Sequence, residues 1–322
     1  MKMKVLITYQ LPKEGLQILF EKYDVFYPEK EILTEKDLLQ IIHEFDAVIT
    51  VFGKPFPDSV MKSGKNLKII SNYGAGVDNI NLRLAGEMGI LVTNTPDAVT
   101  EPTAELTFGL MLSVMRRISE NDRKLRMQPP LEWGIMKNLG NTLSGKMLGI
   151  IGMGKIGRSV ARRALAFGMQ ICYHNRNKLD ASVEKELEAT RISLAKLLEI
   201  SDVISVHTPL TPETKHLIGE TEFNQMKNGA FVINTARGPV IDEIAMVKAL
   251  ETGKLGGAGL DVFENEPEIS SELLQMDNVV LVPHIGTGTT ETRINIGIVA
   301  SQNIVDFFEG RTPEFVVNPI IN

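Results

Sequence analysis

Three glycines between residues 152 and 157 constrain the fold of this chain more than any other feature. They follow the apolar run 147–151 with the spacing G-x-G-x-x-G, and a segment with helical apolar spacing follows them. Strand, tight turn and helix in this order form the dinucleotide-binding fingerprint. Gly152 would allow the sharp turn, Gly154 would let the backbone approach a pyrophosphate, and Gly157 would let helix and strand pack closely. Ordinary strand–helix turns also show such spacing, so the flanking elements decide in favour of a nucleotide.

The residues after the next apolar strand, 169–173, indicate which nucleotide binds. In such folds an acidic residue about 20 positions after the glycines holds the ribose 2′-hydroxyl of NAD. Asn175 occupies roughly that place, with Arg176 and Lys178 beside it. This local positive charge suits a 2′-phosphate, so we favour NADP(H) over NAD(H). A solvated basic turn is the alternative interpretation.

Length and composition fit a globular protein of two domains. A chain of 322 residues with 43% hydrophobic and 23% charged residues can form two cores of ordinary size. The net charge of −6 and the lack of a basic block argue against nucleic acid as the main partner. No stretch approaches the roughly 20 apolar residues of a membrane span, and the amino end is too briefly apolar for a signal peptide. Cys172, the one cysteine, falls in an apolar strand, so we expect no internal disulfide and a cytoplasmic protein.

Short apolar runs alternate with amphipathic segments, which predicts parallel, doubly wound sheets. In the first part of the chain we expect strands at 5–8, 47–51, 67–71 and 89–92 and helices at 13–22, 34–45 and 79–88. In the second part we expect strands at 147–151, 169–173, 202–206, 230–233, 257–260 and 279–282, with helices at 155–167, 193–199, 220–226 and 242–251. A last helix, 289–309, is long enough to return to the first domain.

Two linking segments complete the predicted organisation. A chain breaker at 95–97 precedes 101–126, which we expect to be one long helix. This helix is apolar on more than one face, which predicts burial between domains or against another subunit. The segment 128–133 contains two prolines and the only tryptophan, Trp133, and resembles an arm. We therefore expect a discontinuous domain, 1–99 with 287–322, and a nucleotide-binding domain, 100–286.

Polar side chains follow the later predicted strands. They are His207 after 202–206, Arg237 after 230–233, Asp261 and Glu266 after 257–260, and His284 after 279–282. In open α/β sheets, ligands bind beyond the carboxyl ends of the strands. An arginine, a carboxylate and an imidazole would therefore lie at the edge where the nucleotide binds.

This set suits hydride transfer to a 2-oxo acid. An acid must protonate the alkoxide that develops at the carbonyl, and His284 would serve if Glu266 keeps it charged near neutral pH. Arg237 would bind the substrate carboxylate and polarise the carbonyl, because its guanidinium stays charged and bonds bidentately. Taken singly, Arg237 could be a surface ion pair, Glu266 a loop carboxylate and His284 a hydrogen-bonded core histidine. Their joint placement favours the functional set.

Seven ordered blocks resemble the D-isomer-specific 2-hydroxyacid dehydrogenases over nearly the full chain, with glyoxylate and hydroxypyruvate reductases most similar. The blocks are 73–78 (YGAGVD), 101–105 (EPTAE), 152–157 (GMGKIG), 207–210 (HTPL), 234–238 (NTARG), 261–267 (DVFENEP) and 283–286 (PHIG).

The resemblance implies a Rossmann cofactor domain, 100–286, inserted in a flavodoxin-like substrate domain, 1–99 with 287–322. It implies the catalytic set Arg237, Glu266 and His284, and no metal. The substrate would be held by Arg237, His284 and the backbone N–H groups of Ala75 and Gly76. The implied cofactor-binding residues are Gly152, Gly154, Lys155, Ile156, Gly157, Asn175, Arg176, His207, Pro209, Thr235, Ala236, Asp261 and Gly286. Among these, Asp261 would face the nicotinamide carboxamide.

Members of this family are commonly dimers built on the helix that corresponds to 101–126, and Trp133 would reach the partner's active site as an arm tryptophan does in glyoxylate reductases. Glu266 stands where formate dehydrogenases have a glutamine, which argues against that branch. We therefore expect a homodimer that reduces a small 2-oxo acid of the glyoxylate or hydroxypyruvate type, with NADPH favoured over NADH. The alternatives are an NAD-dependent D-lactate or phosphoglycerate-type dehydrogenase, and a dinucleotide-sensing binding protein similar to the corepressors of this fold.

Overall fold

In a computed structural model the chain divides into two compact units, Met1–Val99 with Thr287–Asn322 and Thr100–Gly286. The structure describes residues 2–127 and 133–318. Within those two ranges no helix has the length and apolar character needed to cross a lipid bilayer.

The first unit contains a five-stranded parallel sheet. Its strands are β1 (Lys4–Ile7), β2 (Asp24–Phe26), β3 (Ala47–Val51), β4 (Ile69–Tyr73) and β5 (Leu91–Thr93). They pair in the order β2-β1-β3-β4-β5, the flavodoxin-like order. Its first four helices are α1 (Gln17–Lys22), α2 (Glu35–Ile41), α3 (Asp58–Ser63) and α4 (Leu82–Glu87), with short 3₁₀ turns at Lys13–Leu16 and Ile42–Glu44.

The second unit contains a seven-stranded parallel sheet. Its strands are β6 (Met147–Ile151), β7 (Gln170–His174), β8 (Ala189–Arg191), β9 (Val203–Val206), β10 (Ala230–Asn234), β11 (Leu255–Leu260) and β12 (Val279–Leu281). They pair in the order β12-β11-β10-β9-β6-β7-β8. This is the Rossmann order with one added strand, and the direction of winding reverses between β6 and β9. The prediction of two doubly wound parallel sheets is confirmed.

The helices of the second unit are α5 (Thr100–Met115), α6 (Ile118–Met127), α7 (Lys155–Ala166), α8 (Ala181–Glu186), α9 (Leu194–Ile200), α10 (Glu220–Gln225), α11 (Glu243–Glu251) and α12 (Ser271–Gln275). All except α6, which contacts α5, contribute apolar side chains to two clusters that pack against this sheet. Ser193 and Asp242 cap α9 and α11 by accepting the N–H groups of Lys196 and Ala245, as their sequence positions predict.

The last helix, α13 (Thr290–Phe308), belongs to the first unit and packs against β4 and the turn at Lys13–Leu16. A Cβ added at Gly15 would lie 2.5 Å from the carbonyl oxygen of Ile294, so only glycine lets the turn approach the helix this closely. Buried hydroxyls fix the contact, since Ser71 Oγ donates to the carbonyl of Ala300 at 2.9 Å.

The prediction of one helix over 101–126 is wrong. Its carboxyl half is the separate helix α6, and Arg117 between α5 and α6 has a φ of 55°. The break has a non-local cause, because the carbonyl of Met115 accepts the N–H of Asn141 at 2.7 Å instead of continuing a helix. The apolar faces of α5 are also buried within its own unit, against α7 and β11. Of the predicted arm, 128–132 lies outside the described residues, and Trp133 is exposed.

Candidate active site

The glycine turn between β6 and α7 leaves open space in front of a helix N-terminus. Gly152 has a φ of 99°, and a Cβ there would lie 2.6 Å from the carbonyl carbon of His207. A Cβ at Gly157 would lie 2.4 Å from the carbonyl oxygen of Gly152, whereas one at Gly154 would meet no atom within 4 Å. Two glycines are thus required by packing, and the third leaves room for a ligand. The first-turn N–H groups of α7 and its dipole suit a phosphate there.

Asn175 and Arg176 follow β7 beside this turn. Asn175 Oδ1 accepts the N–H of Met153 at 2.7 Å, which ties the residue directly to the glycine turn. Lys178 forms an ion pair with Glu184 at 3.2 Å. Among residues 2–127 and 133–318 the exposed guanidinium of Arg176 forms no hydrogen bond or ion pair, although its charge acts on the carboxylate of Glu213. Arg176 is therefore the cation of this turn that remains available to an anionic ligand.

His207 follows β9 at the same edge of the sheet. Its Nε2 lies 2.8 Å from Ser205 Oγ, and burial lowers the pKa of its imidazole to about 3. The neighbouring Thr208 Oγ1 is buried and has no hydrogen-bond partner in the described part of the chain, while Pro209 is exposed. Because His207 is uncharged at neutral pH, it is unsuited to donate a proton to substrate.

We expect His207 to remain uncharged from about pH 8 down to about pH 5. The pKa in the folded chain lies below the ordinary value of about 6.5, so the unfolded chain binds the extra proton more readily. The contribution of this group to the free energy of unfolding is therefore present at neutral pH and falls as the pH drops below that value. Ring chemical shifts measured by NMR, assigned with a His207→Gln variant, test this. A titration midpoint near pH 6 would show that the ring is not desolvated.

The loop after β10 is folded by the side chain of Asn234. Asn234 Oδ1 accepts the N–H of Ala236 at 3.0 Å, and its Nδ2 donates to the carbonyl of Arg237 at 3.0 Å. Thr235 Oγ1 lies 2.8 Å from Thr107 Oγ1, which joins the loop to α5. Arg237 Nη1 donates to the carbonyl of Ala236 at 2.7 Å. These contacts fix the backbone from which the guanidinium of Arg237 extends.

The loops that hold Arg237 and Glu266 pack backbone to backbone. A Cβ at Gly238 would lie 1.9 Å from the carbonyl oxygen of Phe263, so any side chain there would separate the loops. Glu264, in the second loop, accepts a hydrogen bond from the N–H at the start of α11 at 3.1 Å. The spacing between Arg237 and Glu266 is thus set by contacts of the backbone itself.

Glu266 and His284 form a hydrogen-bonded pair. Glu266 Oε2 lies 2.8 Å from His284 Nδ1, and Glu266 Oε1 accepts the N–H of Phe263 at 3.0 Å. Burial alone would raise the pKa of Glu266, but the hydrogen bond and charge of His284, the Phe263 N–H and the charge of Arg237 outweigh it and lower the pKa. An ionised carboxylate can only accept, so Nδ1 carries hydrogen, and Nε2 is the other ring nitrogen, the one that does not face Glu266.

Asp261 organises the segment that contains His284. Its Oδ1 accepts the N–H of Ile285 at 2.6 Å and its Oδ2 that of Gly286 at 2.8 Å. Burial raises the pKa of Asp261 to about 6, although these N–H groups and the charge of His284 lower it. His284 has a φ of 51°, and its N–H donates to the Asp261 carbonyl at 2.9 Å. The structure therefore gives Asp261 a role in holding the histidine loop, and the predicted contact with nicotinamide stays a prediction.

Ala75 and Gly76 lie in the first unit, after β4. The side-chain amide of Asn94 donates to the carbonyl of Ala75 at 2.7 Å, and that of Asn72 donates to the carbonyl of Gly76 at 2.6 Å. Within residues 2–127 and 133–318, the N–H groups of Ala75 and Gly76 donate to no acceptor. Two adjacent N–H groups whose carbonyls are fixed in this way suit a carboxylate.

Comparison with known proteins identifies the family of this chain. The model of the family described as "D-isomer specific 2-hydroxyacid dehydrogenase, NAD binding domain" matches residues 108–286. A glyoxylate reductase of Thermococcus litoralis is 41% identical over 323 residues, which cover 99% of this chain and 97% of that protein. The chain belongs to the D-isomer-specific 2-hydroxyacid dehydrogenase family. As a member of this family it is an NAD(P)-dependent oxidoreductase that reduces 2-oxo acids.

Solved structures similar to this chain match over nearly its full length. A Thermus thermophilus protein superposes with a TM-score of 0.91 at 40% identity, covering 98% of this chain and 100% of that one. An NADPH-dependent glyoxylate/hydroxypyruvate reductase from Sinorhizobium meliloti, in complex with NADP and malonate, superposes with a TM-score of 0.84 at 28% identity, covering 98% and 97%.

Sequence analysis did not predict several residues that fix the loops of the candidate site. Asn234 folds the Arg237 loop, and Glu264 bonds through Oε1 to His216 Nε2 at 2.6 Å. Both lie inside the blocks 234–238 and 261–267, so position within a block was the available indication. Arg191, which contacts the turn after β7, lies in no such block, and nothing in its local sequence indicates a role.

Proposed function

We propose that this dehydrogenase reduces glyoxylate, hydroxypyruvate or another small 2-oxo acid and prefers NADPH. The main support is the bonded pair of Glu266 and His284 with the charge of Arg237 close enough to stabilise the ionised carboxylate. All three follow strands of the sheet that carries the glycine turn after β6, and parallel strands bring their carboxyl ends to one edge.

Each residue of the set has a distinct task in this proposal. Bound NADPH would supply the hydride that reduces the carbonyl carbon. Arg237 would bind the substrate carboxylate and draw electron density toward the carbonyl oxygen. His284 would give the proton on Nε2 to the alkoxide that forms there, so reduction consumes one proton. Glu266 would accept the Nδ1–H bond and stabilise the imidazolium before transfer. In the first unit, the N–H groups of Ala75 and Gly76 would bind a substrate carboxylate.

The cofactor proposal rests on the turns after β6 and β7. The pyrophosphate would lie against the first turn of α7, where Gly154 leaves open space. Arg176 would pair with the 2′-phosphate, because it is the cation of its turn that forms no ion pair within the described residues, whereas Lys178 is paired with Glu184. The remaining proposed cofactor contacts come from Gly152, Lys155, Ile156, Gly157, Asn175, His207, Pro209, Thr235, Ala236, Asp261 and Gly286.

Initial-rate kinetics with both reduced cofactors test this function. We expect the highest kcat/KM with NADPH and glyoxylate or hydroxypyruvate, among a panel that adds pyruvate, 2-ketogluconate and phenylpyruvate. A preference for NADH would favour the D-lactate or phosphoglycerate-type alternative. Negligible turnover of every acid in the panel, combined with measurable peptide binding, would replace the reductase proposal with the corepressor-like one.

Replacing Arg176 with alanine should lower the ratio of kcat/KM for NADPH to kcat/KM for NADH by about 10- to 100-fold. The expected loss is that of one hydrogen bond between charged groups, roughly 1.5–3 kcal/mol. The matched control is Lys178→Ala, because Lys178 is already paired with Glu184 at 3.2 Å. The control should change the ratio by less than about threefold, since exposed ion pairs contribute little. An unchanged ratio in the Arg176 variant would contradict the proposed 2′-phosphate contact.

We also propose that the active species is a homodimer. Exposed apolar side chains concentrate on α6 and the residues after it. They are Ile118, Leu125, Met127, Trp133, Ile135, Met136 and Leu139. Apolar groups gathered in this way are typical of a surface that a partner covers. Sedimentation equilibrium that showed only monomer at micromolar concentration would count against the dimer.

A further inference from the structure

Arg191, the last residue of the edge strand β8, is bonded to the backbone of the turn that follows β7. Its Nε donates to the carbonyl of Asn175 at 3.1 Å, and its Nη2 donates to the same carbonyl at 2.9 Å. Nη2 also donates to the carbonyl of Arg176 at 2.7 Å. One guanidinium thus binds two successive peptide carbonyls, which fixes the orientation of the two peptide planes on either side of the Arg176 Cα.

The same turn is held from its other side by the glycine turn. Asn175 Oδ1 accepts the N–H of Met153 at 2.7 Å, so Asn175 is bonded through its side chain to one neighbour and through its carbonyl to Arg191. The backbone of Arg176 is therefore fixed, whereas its exposed side chain forms no hydrogen bond or ion pair in the described ranges and acts on Glu213 only through its charge. This arrangement gives an exposed cation a fixed point of attachment.

Two arginines of this region, Arg176 and Arg191, form no ion pair with a carboxylate of the described residues. A cleft of about 550 Å³ lies beside the turn and is lined by His174, Lys178, Glu184 and Arg191, among others. Glu184 compensates Lys178 at 3.2 Å and also accepts the hydroxyl of Tyr173 at 2.7 Å. Within the described residues Arg176 forms no such ion pair, although its charge acts on the Glu213 carboxylate, and the guanidinium of Arg191 bonds backbone carbonyls, so the turn favours a ligand with added negative charge.

We propose that Arg191 is a positioning residue for recognition of 2′-phosphorylated adenosine nucleotides. It fixes the Asn175–Arg176 peptide so that Arg176 meets the 2′-phosphate, and its own charge adds to the attraction. This inference rests on the NADPH preference proposed above and extends it to a residue outside the turn. The proposal distinguishes binding of the 2′-phosphate, which needs the added charge, from binding of the rest of the nucleotide, which does not.

Calorimetric titration of the full chain with 2′,5′-ADP and with 5′-AMP tests the assignment. Arg191→Met should weaken 2′,5′-ADP binding by about 10-fold or more, the scale of a lost charged hydrogen bond, and 5′-AMP binding by less than about threefold. In steady-state assays the KM for NADPH should rise while kcat stays within about twofold of the unmodified enzyme. The control is Arg162→Met, which removes an exposed arginine of the same unit paired with Glu186 at 3.2 Å, and it should alter neither affinity.

The titrations distinguish failure of the NADPH proposal from failure of the role proposed for Arg191. If the unmodified chain binds both nucleotides equally, the NADPH proposal itself fails. If the unmodified chain prefers 2′,5′-ADP but Arg191→Met weakens both nucleotides equally, or neither, Arg191 has only a structural role or none. Should the methionine variant not fold by circular dichroism, Arg191→Lys decides. Lysine keeps the charge but cannot bond both carbonyls as the guanidinium does, so the lysine variant should lose affinity for 2′,5′-ADP selectively. An equal loss of affinity for both nucleotides would refute the proposed positioning role of Arg191.

Discussion

Replacing His284 with alanine should lower kcat for 2-oxo acid reduction by about 10²- to 10⁴-fold, the range supplied by a positioned general acid. The reason lies in the pairing with Glu266. The carboxylate is ionised at neutral pH and lies 2.8 Å from Nδ1, so in the proposed mechanism Nε2 would protonate the alkoxide. His207 cannot substitute, because burial lowers the pKa of its ring to about 3.

Stopped-flow measurement of NADPH oxidation under single-turnover conditions isolates the affected step. The Kd for NADPH, from its fluorescence, should stay within about twofold of the unmodified enzyme, since the loss should fall on proton transfer and not on cofactor binding. His43→Ala is a suitable control, because His43 is exposed and lies in the first unit. A His284 variant that kept more than about a tenth of the original rate would assign the proton donor to another group.

The sheets were predictable because buried parallel strands are continuous apolar runs. The short edge strands β2 and β8 were not predicted, because they lack such a run. Their sequences, DVF and ATR, are largely exposed and show no apolar run. The break between α5 and α6 was also unpredictable, since the local pattern over 101–126 is helical. What ends α5 is the N–H of Asn141, a residue distant in sequence that bonds the Met115 carbonyl.

The candidate site shows the same division between local and non-local information. Motif residues such as Glu266 and His284 could be placed at one edge because each directly follows a strand, and their 2.8 Å contact agrees with that placement. The groups that hold the loops could not be placed. Asp261 bonds Ile285 and Gly286 across 24 and 25 residues, and Arg191 bonds the Asn175 carbonyl across 16. Such pairs depend on how loops meet, which periodicity does not encode.

Replacing Arg237 with alanine should lower kcat/KM for 2-oxo acid reduction by about 30- to 5,000-fold. This corresponds to roughly 2–5 kcal/mol for removing one partner of a close charge pair. Arg237→Lys should recover only part of the loss, because an ammonium cannot reproduce the bidentate fork to a carboxylate. Added guanidinium ion should partly restore the alanine variant, and acetamide at the same concentration is the matched control. If both additives restored the activity of the alanine variant, or if neither did, the result would contradict a role for the guanidinium charge in a site that is otherwise intact.

The Arg237→Ala variant should also change the pH dependence of kcat/KM, and the contacts of Glu266 determine the direction of the change. Burial alone would raise the pKa of Glu266, and His284, the Phe263 N–H and Arg237 together lower it. Removing the charge of Arg237 takes away one of the lowering causes, so the pKa of Glu266 rises and its carboxylate is lost at a higher pH on acidification. The acidic limb of kcat/KM should therefore move toward neutral pH. If kcat/KM fell at every pH while the acidic limb stayed at the same pH, Arg237 would act on the substrate alone. It would then have no electrostatic influence on the Glu266–His284 pair.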